Sequence, residues 1–224
     1  IVPHNPKRGV AYNLGSPSVN GGSSAADLQA LAGGSVSWWY NWGTTPHSNV
    51  ESIYQSNDMD FVPMIWGADG TKTNFSDVAL RAYLDTHPNV EYLLGFNEPN
   101  FSVQANMTPQ QAATAWPKME AIAQDYGLKL VSPAVNYSPN ANWVVKTTLP
   151  TPPAGMAYTE GTAADVGKVN LNDPFNWLTA FFAYYPAAKV DYIAVHCYIN
   201  TSGAIIWYVD QYITKFNKPV WITE

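Results

Sequence analysis

The run Tyr92-Leu93-Leu94-Gly95-Phe96-Asn97-Glu98-Pro99-Asn100 changes character half-way. Its first half is short, apolar and aromatic, which fits a strand of a buried parallel sheet. Its second half cannot continue that strand, because proline lacks an N–H and biases the residue before it away from helix. The strand therefore ends at Asn97-Glu98, with a carboxylate at its carboxyl end. That is the edge at which barrels and open parallel sheets place their chemistry. Read alone, the same residues also describe a strand-to-loop turn with a solvated Glu.

A second stretch bears on that choice. Lys218-Pro219-Val220-Trp221-Ile222-Thr223-Glu224 is another short β-branched and aromatic strand that finishes in a Glu. Two parallel strands with a Glu at the same end suggest two carboxylates facing one another. Glycoside hydrolysis needs such a pair, one to protonate the leaving oxygen and one to attack or to activate water. The acid of the pair must keep its proton near neutral pH, which calls for burial and a neighbouring negative charge.

Composition narrows the class. The 224 residues are long enough for one large domain, taken as 1–224. Hydrophobic residues make up 46% and charged residues 12%, which excludes a disordered chain. A formal charge of −6 without a basic run offers nucleic acid no purchase. No apolar run is long enough for a membrane span, and the expectation is a monomer with no membrane partner. Aromatic residues reach 14%, with nine Trp and fourteen Tyr, and several fall at strand ends, where flat rings suit stacking on sugars. The single Cys197 excludes an internal disulfide. Asn-X-Ser/Thr sequons at Asn74, Asn100, Asn106, Asn136 and Asn200 add mild support for a secreted, glycosylated protein. Four scattered His give no zinc spacing, and neither a phosphate loop nor a Gly-X-Ser-X-Gly elbow is present, so no metal or cofactor is expected.

Along the chain, strands are expected at 8–13, 37–42, 60–67, 92–96, 129–135, 190–198 and 219–224. Pro63 should bulge the third. Helices are expected at 24–33 after a Ser23 or Ser24 cap, at 49–55, 77–86, 109–126, 174–185 and 205–216. Thr108-Pro109-Gln110-Gln111 opens the fourth and Gly127 stops it. Residues 136–173, with Pro150, Pro152, Pro153 and Gly155, read as a long loop near the site. Strands alternating with helices indicate parallel βαβ units, and the α/β class expected is a (β/α)8 TIM barrel. Seven strands are counted, so the eighth strand and helix, and with them the C-terminal part of the domain, are expected to be missing from the chain.

Gly95-Phe96-Asn97-Glu98-Pro99-Asn100 together with Trp221-Ile222-Thr223-Glu224 resembles the retaining (β/α)8 glycoside hydrolases. Trp38-Trp39-Tyr40-Asn41-Trp42, Ile65-Trp66-Gly67 and Val195-His196-Cys197-Tyr198 bring the likeness closer to glycoside hydrolase family 128, the Asl1-like glycosyl hydrolase core of β-1,3-glucanases. The resemblance implies Glu98 as acid/base, Glu224 as nucleophile and Asn97 as a partner of the sugar 2-hydroxyl. It implies a β-glucan poly- or oligosaccharide as partner and an extracellular or cell-wall setting. Asn41, Trp42, Trp66, His196 and Tyr198 are the further substrate-binding candidates. His196 reads equally as a satisfied core histidine, Tyr198 as a donor to the nucleophile or a packing residue, and Asn97 as a loop residue. Trp38 and Trp39 must face opposite sides of their strand, so one of them is core. An alternative on the same barrel is a β-glucan-binding protein with little or no turnover.

Overall fold

A computed structural model describes residues 5–12, 25–48, 50–137 and 173–224. The expected Ser23/Ser24 cap and most of the loop expected after Asn136 lie outside the described residues.

Three short parallel sheets form. β1 (Asn5–Ala11), β2 (Val36–Tyr40) and β3 (Asp60–Phe61) make the first. β4 (Tyr92–Leu94) and β5 (Lys129–Val131) make the second. β6 (Val135–Asn136), β7 (Ile193–His196) and β8 (Val220–Ile222) make the third. Single parallel bridges, Met64 to Leu94 and Val131 to Tyr192, carry the order from one sheet to the next. Between the strands run α1 (Ala25–Gly33), α2 (Glu51–Tyr54), α3 (Val78–Leu84), α4 (Pro109–Tyr126), α5 (Pro174–Tyr184) and α6 (Ser202–Phe216). Among the described residues β8 and β1 do not pair, so the barrel expected from the sequence is not closed.

Two prolines explain where the strands depart from expectation. A proline removes one ladder donor. At Pro63 the expected third strand breaks: β3 stops at Phe61, and Met64 rejoins only through its bridge to Leu94. At Pro133 the expected fifth strand splits into β5 and β6, which is why eight strands are found among the described residues rather than seven.

β2, β4, β5, β6 and β7 are largely buried, which accounts for their mainly apolar sequences, whereas β1 and β8 are partly exposed. Alternate residues go to two separate cores. Trp39, Leu93, Leu130, Ile193 and Val195 pack outward, against a core shared with the helices. Tyr40, Leu94, Val131 and Ala194 pack inward, with Trp38 and Trp221 at the margin of that inner cluster. Trp38 and Trp39 thus do face opposite sides. Trp38 lies 4.8 Å from Trp221, centroid to centroid, and its ring crosses Gly9, where a Cβ would fall 1.9 Å from the indole. Gly95 meets a similar demand, since a Cβ there would sit 2.8 Å from the Pro133 nitrogen of the neighbouring segment.

The helices close as their sequences dictate. Thr108 Oγ1 accepts from the Gln111 N–H while Gln111 Oε1 accepts from the Thr108 N–H, a reciprocal cap with Pro109 in the first turn. Gly127 ends α4 in the left-handed conformation at φ 69°. On its inner face Trp116 is fully buried between Phe96 and Phe181. Its indole N–H donates to the Lys189 carbonyl at 3.0 Å, so the large ring is buried without stranding its donor.

Candidate active site

The carboxyl ends of β2, β4, β6, β7 and β8 meet at one place. Beyond β4, the Asn97 N–H donates to the Trp66 carbonyl at 2.8 Å and the Glu98 N–H to the Ala134 carbonyl at 2.8 Å. Glu98 is held at φ 40°, a left-handed conformation that costs a non-glycine residue energy. Asn100, wholly buried, locks the next turn: its Nδ2 donates to the Asn136 carbonyl at 2.7 Å, and its Oδ1 accepts from the Asn136 N–H at 3.4 Å. On the other side, the Thr223 N–H donates to the Val195 carbonyl and the Glu224 carbonyl accepts from the Cys197 N–H at 2.7 Å. This fixes Glu224 beside His196.

Glu98 and Glu224 are brought together. One side-chain ligand atom from each, with one from His196, all lie within 4.8 Å of one another. His196 stands between them at 1% exposure, with Nδ1 2.8 Å from Glu98 Oε1 and Nε2 3.4 Å from Glu224 Oε1. The two acids have different surroundings. Glu98 Oε1 takes the Asn136 Nδ2–H at 2.8 Å as well as His196, and Oε2 has no hydrogen bond among the described residues. Glu224 is served on both oxygens: Oε1 by the Trp42 indole at 2.7 Å and the Tyr40 hydroxyl at 3.4 Å, Oε2 by the Tyr198 hydroxyl.

Both tyrosines are kept as donors. Burial pushes the Tyr40 phenol well above its usual range, and the Glu224 charge adds to this. The Tyr198 ring is 71% exposed, yet its hydroxyl is tucked against Glu224. Desolvation there, with the carboxylate beside it, pushes its pKa up too.

The other candidates divide. Trp42 sits at φ 61°, a second strained residue at the site, with its indole on Glu224. His196 and Tyr198 belong to the constellation as well. Asn97 is 3% exposed; its Nδ2 reaches Gln104 Oε1 at 3.3 Å and its Oδ1 has no partner among the described residues. Trp66 adjoins through its backbone carbonyl, and its side chain is 39% exposed. Asn41 is engaged within its own loop: its Nδ2 donates to the Thr45 carbonyl at 3.0 Å and its Oδ1 accepts from the Gly43 N–H at 3.0 Å, building the loop that carries Trp42. Sequence reasoning missed Asn136, Asn100 and Tyr40. A cleft of about 1030 Å3 opens beside His196 and Asn136, walled by Tyr137, Tyr198 and Trp207.

The glycosyl hydrolase catalytic core family matches residues 9–224. A family-128, subgroup II endo-β-1,3-glucanase of Pseudomonas viridiflava is 36% identical with a TM-score of 0.68, covering 97% of this chain and 69% of its own. This chain belongs to glycoside hydrolase family 128. The family-128, subgroup II endo-β-1,3-glucanase of Sorangium cellulosum is 31% identical, TM-score 0.64, over 96% of this chain and 72% of its own. A family-128, subgroup I endo-β-1,3-glucanase of Amycolatopsis mediterranei, in complex with laminaritriose, is 25% identical, TM-score 0.61, over 98% of this chain and 70% of its own. No curated protein matches the chain. As a family-128 member the chain is a glycoside hydrolase, which agrees with a buried Glu98 and a half-buried Glu224 side by side at an aromatic cleft.

Proposed function

We propose that this glycoside hydrolase cleaves β-1,3-glucan with retention, by double displacement, using Glu98 as general acid/base and Glu224 as nucleophile. The observation that carries the reading is the approach of the two carboxylates to within 4.8 Å, ligand atom to ligand atom. Retaining enzymes hold their pair about 5–5.5 Å apart, whereas inverting ones need about 6.5–9.5 Å to admit a water.

The roles follow from the surroundings. Glu224 receives N–H and O–H donors on both oxygens, which favours the ionised form that a nucleophile needs. Glu98 has both of its donors on Oε1, leaving Oε2 to carry the proton passed to the leaving oxygen. After the covalent intermediate forms, the same oxygen takes a proton from the attacking water. The unpartnered Asn97 Oδ1 supports a contact with a sugar hydroxyl, because a buried acceptor left unpaired costs about 1–3 kcal/mol. The open faces of Trp66 and Tyr198 support ring stacking.

The β-1,3 linkage is carried over from the relatives, which are described as β-1,3-glucanases, one of them holding laminaritriose. Parallel strand order and two-faced burial support a (β/α)8 barrel as the parent architecture. An extracellular setting is the matching proposal, supported by exposed sequons at Asn74 and Asn200.

The test is laminarin hydrolysis with the anomers followed by NMR. The β-anomer should appear first, and Glu98→Gln and Glu224→Gln should each lower kcat by about 10^3-fold or more. Early α-anomer would overturn retention. Oligosaccharide binding without any wild-type turnover would favour the binding-protein reading.

A further inference from the structure

The ring of His196 is satisfied on one side only. Its Nδ1 pairs with Glu98 Oε1 at 2.8 Å, while Nε2, buried with the rest of the side chain, has no hydrogen-bond partner among the described residues and lies 3.4 Å from Glu224 Oε1. With the ring proton on Nδ1, a lone pair on Nε2 confronts a carboxylate oxygen. A cation between them turns this opposition into coordination.

The geometry points to an inhibitory site for a borderline transition cation, of which Zn2+ is the type, held by His196 Nε2 and Glu224. Zinc binds imidazole nitrogen at about 2.0–2.1 Å and carboxylate oxygen at about 2.0–2.2 Å, so two ligands at a tetrahedral angle lie about 3.3–3.5 Å apart. The Nε2 to Oε1 separation is 3.4 Å. The ring is already supported from behind, since a histidine that binds metal commonly gives its other N–H to a carboxylate, and Glu98 stands there. Water completes the shell. Calcium and magnesium, which require six or more oxygen ligands or a near-ideal octahedron, are poorly served by an imidazole and one carboxylate. Spacing along the sequence gives no sign of the site because His196 ends β7 and Glu224 follows β8; their parallel pairing joins them.

The binding claim does not depend on turnover; only the inhibitory consequence rests on the catalytic roles above. Because the ion occupies the nucleophile, it excludes substrate, and Zn2+ should raise the apparent KM for laminarin without lowering kcat, with full recovery on chelation.

The direct test is titration of the whole chain with Co2+, read by its visible d–d bands, with Zn2+ as competitor. One tetrahedral-type band per chain is expected, displaced by Zn2+. Its affinity should fall at least about tenfold in His196→Ala. It should fall likewise in Glu224→Gln, which keeps the side-chain shape should His196→Ala fail to fold. The triple variant H4A/H47A/H87A, which leaves His196 as the sole histidine, should bind as the wild type does. Absence of a band at millimolar Co2+, an unchanged affinity in Glu224→Gln, or loss of the band in the triple variant would each overturn the assignment.

Discussion

Trp42→Phe isolates one donor to the proposed nucleophile. The indole N–H lies 2.7 Å from Glu224 Oε1, and phenylalanine removes it while keeping a ring against Tyr40, now 5.3 Å away centroid to centroid. The Cβ is also kept, so the strain of φ 61° is unchanged and the backbone contributes nothing to the difference. Tyr40 is a poor substitute, because its hydroxyl lies 3.4 Å from Glu224 Oε1 and already reaches the Thr223 carbonyl at 3.0 Å. A hydrogen bond to a full charge contributes about 1.5–3 kcal/mol. The carboxylate is neutralised as it attacks and recovers its charge as it leaves. With charge half regained in the second transition state, about half that energy is at stake, or roughly a 4- to 12-fold loss. The loss should fall on breakdown of the glycosyl-enzyme. Laminarin kinetics should therefore show kcat and KM falling together, with kcat/KM much less affected, and mass spectrometry should find the covalent adduct accumulating. An unchanged kcat in a folded variant, or a loss confined to KM, would refute the reasoning.

Asn100→Ala should cost both stability and activity. It strips the Asn136 carbonyl and N–H of their partners inside the protein, and a buried polar group stranded in this way costs about 1–3 kcal/mol. For a chain of this size, a melting temperature about 5–10 °C lower is expected, together with reduced kcat as Asn136 loosens from Glu98; calorimetry and laminarin assays check both. Asp77→Asn addresses pH. The hydrogen bond from Arg81, with Lys118 nearby, holds the Asp77 carboxyl below the usual carboxylate range. A lowered folded-state value means that its stabilisation is complete above about pH 4 and fades as pH falls below that. The variant should melt below the wild type at pH 7, and the gap should narrow as pH falls below the ordinary carboxylate range.

Much of this was legible in the sequence, for local reasons. The reciprocal cap at Thr108 and Gln111 and the stop at Gly127 are set within a few residues of themselves. Pairing Glu98 with Glu224 needed only the parallel direction of their strands. Asn41, a polar residue beside Trp42 at a strand end, reads as ligand-facing, and nothing in the sequence signals that its amide also makes two bonds within its own loop. Asn136 was read only as a sequon, in a stretch where the pattern blurs. Its place depends on register, the pairing of Asn136 with His196 across β6 and β7, which no local signal announces. The extra strand came from Pro133, whose break is visible in the sequence but whose consequence depends on what lies alongside.

The inward turn of Asn100 and Asn136 has a practical side. Each still spells an acceptor for oligosaccharide transfer, and in a eukaryotic secretory host that transfer precedes folding. A glycan on either amide nitrogen would occupy the atom that grips Asn136 or Glu98, and the polypeptide could not close around it. Recombinant material from yeast or insect cells is thus exposed to a hazard that bacterial cytoplasm avoids, and the choice of host becomes part of assaying this enzyme.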